Sequence, residues 1–257
     1  MKKLLNLINF FELKLSTVIV LILGVLFGQA KPLLLLFLIA IIHELFHYFA
    51  CIISKIKVRR FIILPFGASL QINEVENISS IKQIFIYLAG PLSMFVNLIW
   101  INLLKNNGIL NEINYDFIIR INYVMCIVNL LPIFPLDGYM IIKAIMQLFN
   151  PYKKALKISL IVSLIAFGIF LTYNFVSFQP MISIFLLFEQ IRHILNYKEL
   201  YRKFLIYKSL FKKHKRYRII DDYQMYKDCN NYKFENAHIL NDMDIALKEL
   251  SKNRFIT

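Results

Sequence analysis

Within one strongly apolar stretch the chain reads His43-Glu44-Leu45-Phe46-His47. On a helix, residues four apart share a face. The two imidazoles can then hold one Zn2+, with Glu44 beside them to take a proton from an attacking water. A carboxylate and two imidazoles are costly in the middle of a membrane unless partnered, and a metal supplies that partner. A zinc site needs at least one further protein ligand. Cys51 lies one more helical turn along the same face, and Asp137 lies far off in an Asp-Gly pair. Consecutive turns of one helix converge poorly on a single ion, whereas a residue from another helix can complete the tetrahedron. Asp137 is therefore the preferred third ligand, although Asp137-Gly138 also suits a turn at a membrane boundary. Cys51 reads as a small buried hydrophobe. Two histidines and one carboxylate leave a fourth position for water, as a hydrolytic site requires.

The elements that must position these groups are set by composition. Of 257 residues, 58% are hydrophobic and 18% charged, against roughly 45–50% and 25% in a soluble domain. With a mean hydropathy of +0.59, an ordinary soluble fold and intrinsic disorder are both excluded. Seven glycines and three cysteines without a CxxC pair exclude collagen-like and disulfide-scaffold classes. Six apolar segments can be marked, at 15–30, 33–54, 81–104, 117–131, 158–173 and 181–195. The flank of the first lacks a small-x-small cleavage pattern, so it reads as retained. Lys55, Lys57, Arg59 and Arg60 follow the second segment, Lys143, Lys153, Lys154 and Lys157 the fourth, and Arg192, Lys198, Arg202 and Lys203 the sixth. Basic loops lie inside, so both termini are expected in the cytoplasm. The net charge of +14 then reads as loops facing cytoplasm and anionic lipid, with no direct nucleic-acid contact, since no nucleic-acid module is visible.

Two stretches do not fit plain helices. Residues 61–75 carry β-branched side chains, Pro65 and Gly67, and read as a hairpin near the membrane. Residues 131–138 (LPIFPLDG) hold two prolines and a glycine, so a regular helix cannot pass through them. Irregular backbone at membrane depth needs protein cover or a wet cavity, which marks a candidate site. Asn97 and Asn129 can each support an oxyanion or bond another helix. Gly90-Pro91 suits close helix packing or a kink. His193, His214 and His238 read as surface or interfacial. From residue 197 the chain turns polar, with a basic run, 208–218, read as a solvated or lipid-facing surface.

The chain resembles the site-2 protease family of intramembrane zinc metalloproteases. The resemblance covers residues 15–195. It rests on HELFH at 43–47, PFG at 65–67, AGPxxxxxN at 89–97 and NLLPxxPLDG at 129–138. It implies that His43, His47 and Asp137 bind zinc and that Glu44 is the base. Phe66, Gly67 and Pro135, in its motifs, join Asn97 and Asn129 as candidates for substrate binding or oxyanion support. Tyr139 and Ala68 stand where many members have a glycine. The implied substrate is a membrane-associated protein, of the sporulation sigma factor precursor (pro-sigma-K) type. Implied partners are inhibitory or regulatory membrane proteins, and the implied location is the mother-cell membrane around the forespore. The expected fold is an all-α membrane protein of about six transmembrane helices with a membrane-associated β-hairpin. Residues 1–196 would form the metalloprotease domain and 197–257 a small basic cytoplasmic domain, a shortened CBS-like unit at most. The rival reading is a zinc-binding transporter or sensor, which would use the same ligands without needing a general base.

Overall fold

The computed structural model describes residues 11–13, 15–28, 30–64, 67–72, 78–177, 180–210, 216–235 and 238–252. The chain divides into two compact units. One comprises Met1–Asn73 with Phe85–Leu130, the other Glu74–Ile84 with Leu131–Thr257.

The first unit contains helices α1 (Leu15–Leu26) and α2 (Ala30–Ile53), most of α3 (Ser80–Asn106), and α4 (Glu112–Leu130). It also holds a three-stranded sheet of β1 (Phe11–Leu13), β2 (Val58–Leu64) and β3 (Gly67–Ile72). Helix α2 ends in a two-bond cap: Lys55 N donates to Ile52 O at 2.9 Å and Ile56 N to Cys51 O at 2.9 Å. Lys55 takes a left-handed φ of 58°, a position glycine usually fills and one that costs a bulkier residue about 1–3 kcal/mol. The cap turns the chain straight into β2. Strands β2 and β3 form the expected hairpin, with Ile62 opposite Ser69 and Leu64 opposite Gly67. Phe66 and Pro65 lie outside the described residues. Strand β1 adds in parallel to β2, Phe11 opposite Phe61; three residues carry too little alternation to be legible in sequence. Ala50, Cys51, Ile86 and Ala89 pack α2 against α3, with Val58, Leu70 and Ile72 of the sheet beside them.

The second unit contains α5 (Asp137–Phe149), α6 (Tyr152–Ser177) and α7 (Pro180–Leu210). Strands β4 (Tyr217–Ile219), β5 (Asn230–Glu235) and β6 (His238–Leu240) and helix α8 (Asp242–Lys252) follow. Helix α7 runs unbroken through residues 196–197, so the change in composition there is not an element boundary. A core of Tyr152, Tyr201, Phe204, Leu205, Ile245 and Ala246 ties α6 and α7 to α8. The polar stretch thus packs onto Tyr152 of α6 instead of around an interior of its own. Within it Lys208 is fully buried, donating to Cys229 O at 2.6 Å and to the Asp242 carboxylate at 3.2 Å. This corrects the expectation that the basic run is solvated from its start; Arg216 and Arg218 are exposed, and residues 211–215 lie outside the description. The Asp228 carboxylate accepts from the backbone N–H of Ser80 at 3.1 and 3.2 Å, capping α3 at its first residue.

Among the described residues, three helices are long and apolar enough to cross a membrane: Leu34–Ile53, Ser80–Asn106 and Tyr152–Thr172. The other three expected segments fall on α1, α4 and the start of α7 but do not meet that measure. Helix α1, at 12 residues, is about 18 Å long against a hydrocarbon core of about 30 Å.

Candidate metal centre

The centre is built on one turn of α2. His43 and His47 are both buried and their Nε2 atoms stand 3.2 Å apart. Two nitrogens at zinc-ligand distance from one tetrahedral ion are roughly 3.3 Å apart. The rings meet edge-on at an interplanar angle of 83°. A carbonyl can only accept, so the 2.7 Å bond from His47 Nδ1 to Ile86 O places the proton on Nδ1 and leaves the Nε2 lone pair facing His43. A bond of this kind from the outer nitrogen is the usual way a ligating imidazole is oriented. Pro91 lies inside α3 and cannot donate to the carbonyl four residues back.

The opposing wall is Gly90. A Cβ built there would overlap His47 Nε2 and lie 2.6 Å from His43 Nε2. The absence of a side chain therefore keeps open the space onto which both nitrogens converge. The glycine expected to serve helix packing shapes the centre itself. Glu44 completes the cluster, with one potential ligand atom from each of His43, Glu44 and His47 within 4.8 Å of the others. Donor chemistry and the Gly90 cradle both fit a zinc ion. Cys51, the rejected ligand, is fully buried among Ala50, Ile86 and Ala89.

Asp137 belongs to the second unit. It is the first residue of α5, half-buried, and Asp137-Gly138 opens a helix instead of forming a turn. The bend before it is held by side chains from two other helices of that unit. Phe134 N donates to Ser163 Oγ at 2.9 Å, and Gln190 Nε2 donates to Ser163 Oγ at 2.6 Å and to Phe134 O at 3.5 Å. Pro135 follows Phe134 across a cis peptide bond. Tyr139, buried, shares a 2.6 Å hydrogen bond with His193 Nε2. His193 is itself buried and partners that hydroxyl, where a surface or interfacial position was expected. His238 is exposed as expected, and His214 lies outside the described residues.

Asn97 is fully buried, donating to Asn122 Oδ1 at 2.9 Å and accepting from Trp100 Nε1 at 2.9 Å. Of its two expected uses, bonding between helices is the one displayed. Asn129 donates to Met125 O of its own helix at 2.9 Å. Gly67 pairs with Leu64 at the hairpin turn.

Residues 32–108 match peptidase family M50. That segment holds His43, Glu44, His47 and Gly90, so the cluster lies in the part of the chain that carries the family match. Stage IV sporulation protein FB of Bacillus subtilis is 32% identical over 146 residues, 55% of this chain and 49% of that protein. A zinc metalloprotease of Methanocaldococcus jannaschii is 26% identical over 129 residues, 49% of this chain and 37% of that one. The chain thus spans half or less of the length of these curated relatives. In fold it is similar to the site-2 protease from Methanocaldococcus jannaschii, with a TM-score of 0.55 and 22% identity, over 72% of this chain and 89% of the other.

Proposed function

We propose that the chain is an intramembrane zinc metalloprotease that hydrolyses a peptide bond in a membrane-associated protein. The observation that carries this reading is the pair of imidazole Nε2 atoms 3.2 Å apart, facing the space that Gly90 keeps open. His43 and His47 would hold the ion, with Asp137 as third ligand. When bound, zinc supplies Lewis acidity, making water acidic near neutral pH and polarising a carbonyl. Glu44, next to His43 in sequence, removes a proton from the attacking water and delivers it to the leaving amine. His47 keeps its Nε2 aimed through the bond from Nδ1 to Ile86 O.

The scissile peptide must be extended for its carbonyl to be reached. In the order β1-β2-β3 the described outer strands are β1 and β3, and β3 is the one that belongs to the hairpin. An extended substrate segment adds there as a further strand, main-chain bonds giving affinity. Phe66, Gly67 and Pro135 remain candidates for contact with it.

The membrane part, 1–196, and the polar part, 197–257, divide the labour. By similarity to the sporulation protein, the substrate is an inactive sigma factor precursor, and other membrane proteins regulate access. Both termini face the cytoplasm, in the mother-cell membrane around the forespore, where exposed Arg216 and Arg218 meet anionic lipid or an acidic stretch of substrate. The test is co-expression with the sigma precursor, scored for a size shift, with Glu44→Gln in parallel. The expected result is cleavage by the parent chain and none by a variant that retains zinc. Unchanged function in Glu44→Gln would favour a zinc transporter or sensor.

A further inference from the structure

We propose that Ser163, Gln190 and His193 are positioning residues that clamp the bend on both sides of Asp137 and so fix how its carboxylate is presented. The proposal rests on the reading of Asp137 as third ligand.

Upstream of the carboxylate, Ser163 of α6 and Gln190 of α7 hold Phe134 by its backbone, at 2.9 Å to N and 3.5 Å to O. The two side chains also bond each other at 2.6 Å. Downstream, the Tyr139 hydroxyl is held by His193 of α7 at 2.6 Å. Phe134 joins the two anchors. Its ring stacks on His193 at 4.2 Å and 10°, and meets Tyr139 edge-on at 5.4 Å and 90°. Ser163, Gln190, His193 and Tyr139 are all buried.

Backbone satisfaction alone does not explain this arrangement. An irregular bend among apolar helices must pair its own N–H and C=O groups, and Ser163 and Gln190 do that. The bond between Tyr139 and His193 pairs no backbone group. It commits two buried polar side chains to each other, where burial would be costly to either alone. Its product is orientation. At about 100° per residue on a helix, side chains two apart leave on roughly opposite sides. An anchor on Tyr139 therefore sets the rotation of the first turn of α5 without occupying the side from which Asp137 projects. One anchor fixes where the bend lies, and the other fixes which way its helix is turned.

Partners that orient a metal ligand are worth roughly 10–100-fold in metal affinity when removed. The experiment measures zinc affinity of the full-length chain in detergent by chelator competition, alongside helicity and thermal midpoint. The expected result for Tyr139→Phe and Gln190→Met is zinc binding weakened about 10-fold or more with helicity unchanged. Ser163→Thr, which keeps the hydroxyl, should bind zinc as the parent does. Asp137→Asn is the reference for the ligand itself. Parent-like affinity in Tyr139→Phe and Gln190→Met, beside a clear loss in Asp137→Asn, would overturn the clamp and leave the ligand reading standing. Parent-like affinity in Asp137→Asn would overturn both. Should Gln190→Met fail to fold, Tyr139→Phe decides the matter, because it removes a single oxygen.

Discussion

The turn of α2 that carries His43 and His47 asks little of its surroundings. Helical spacing sets the two nitrogens 3.2 Å apart, one backbone carbonyl orients His47, and one glycine stays out of the way. The bend that carries Asp137 is the opposite case. Its backbone follows no regular ladder, and side chains from two further helices must hold it. A ligand on a regular helix is fixed by local geometry and is vulnerable to volume. A side chain that follows irregular backbone is fixed by distant polar partners and is vulnerable to their loss.

The sharpest way to break the contrast is Gly90→Ala. A single methyl would occupy the space between the imidazoles, so zinc content should fall close to zero while helicity is kept. Elemental analysis with circular dichroism checks this, and full zinc occupancy would show that the helix-borne half is not limited by volume. Ser163→Ala attacks the bend through polarity. It leaves the Phe134 N–H without its hydroxyl, a cost of about 1–3 kcal/mol, to be read from the unfolding midpoint. A polar deletion outside both halves sharpens the comparison further. Asn122→Leu removes the acceptor of the Asn97 amide, for an expected loss of roughly 0.6–2 kcal/mol with zinc affinity unchanged. A fall in zinc affinity there would mean that polar support of the centre extends well beyond the bend.

The smallest expected effect lies in the polar part, where partners are exposed. The Lys248 ammonium, and then the Tyr223 hydroxyl, hold the Glu235 carboxyl below its ordinary value of 4.5. A lowered carboxylate stabilises the fold above that ordinary value, and the contribution is lost as pH falls through the lowered one. Lys248→Met should move the Glu235 titration upward and slightly raise the pH at which this part unfolds in acid. Carbon-detected titration of the carboxyl is the measurement; an unmoved Glu235 would show that the 2.8 Å contact to Lys248 does not persist in solution.

The contrast also explains what was legible in sequence. HELFH could be read because four-residue spacing on an apolar helix leaves the two imidazoles no other relation. The prolines of residues 131–138 announced that the helix breaks, and the β-branched run before Gly67 announced a hairpin. What holds these features was not legible. Ser163, Gln190 and His193 lie 29, 56 and 54 residues from the groups they bond, on helices whose own patterns read as membrane segments. Gly90 carried a visible signal in the AGP motif, but a glycine pattern cannot tell a helix crossing from a metal cradle. Lys208 was hidden because a lysine inside a basic run looks solvated, and only folding brings the Cys229 carbonyl and Asp242 to it.

Helix α3, which carries Gly90, begins with its Ser80 N–H bound by Asp228, a residue made 148 positions later. At about 5–20 residues per second, a ribosome needs on the order of 10–30 seconds to cover that distance. During that interval the start of the helix lacks its cap. The start of α3 is therefore capped late in synthesis, by a carboxylate from the polar part of the chain.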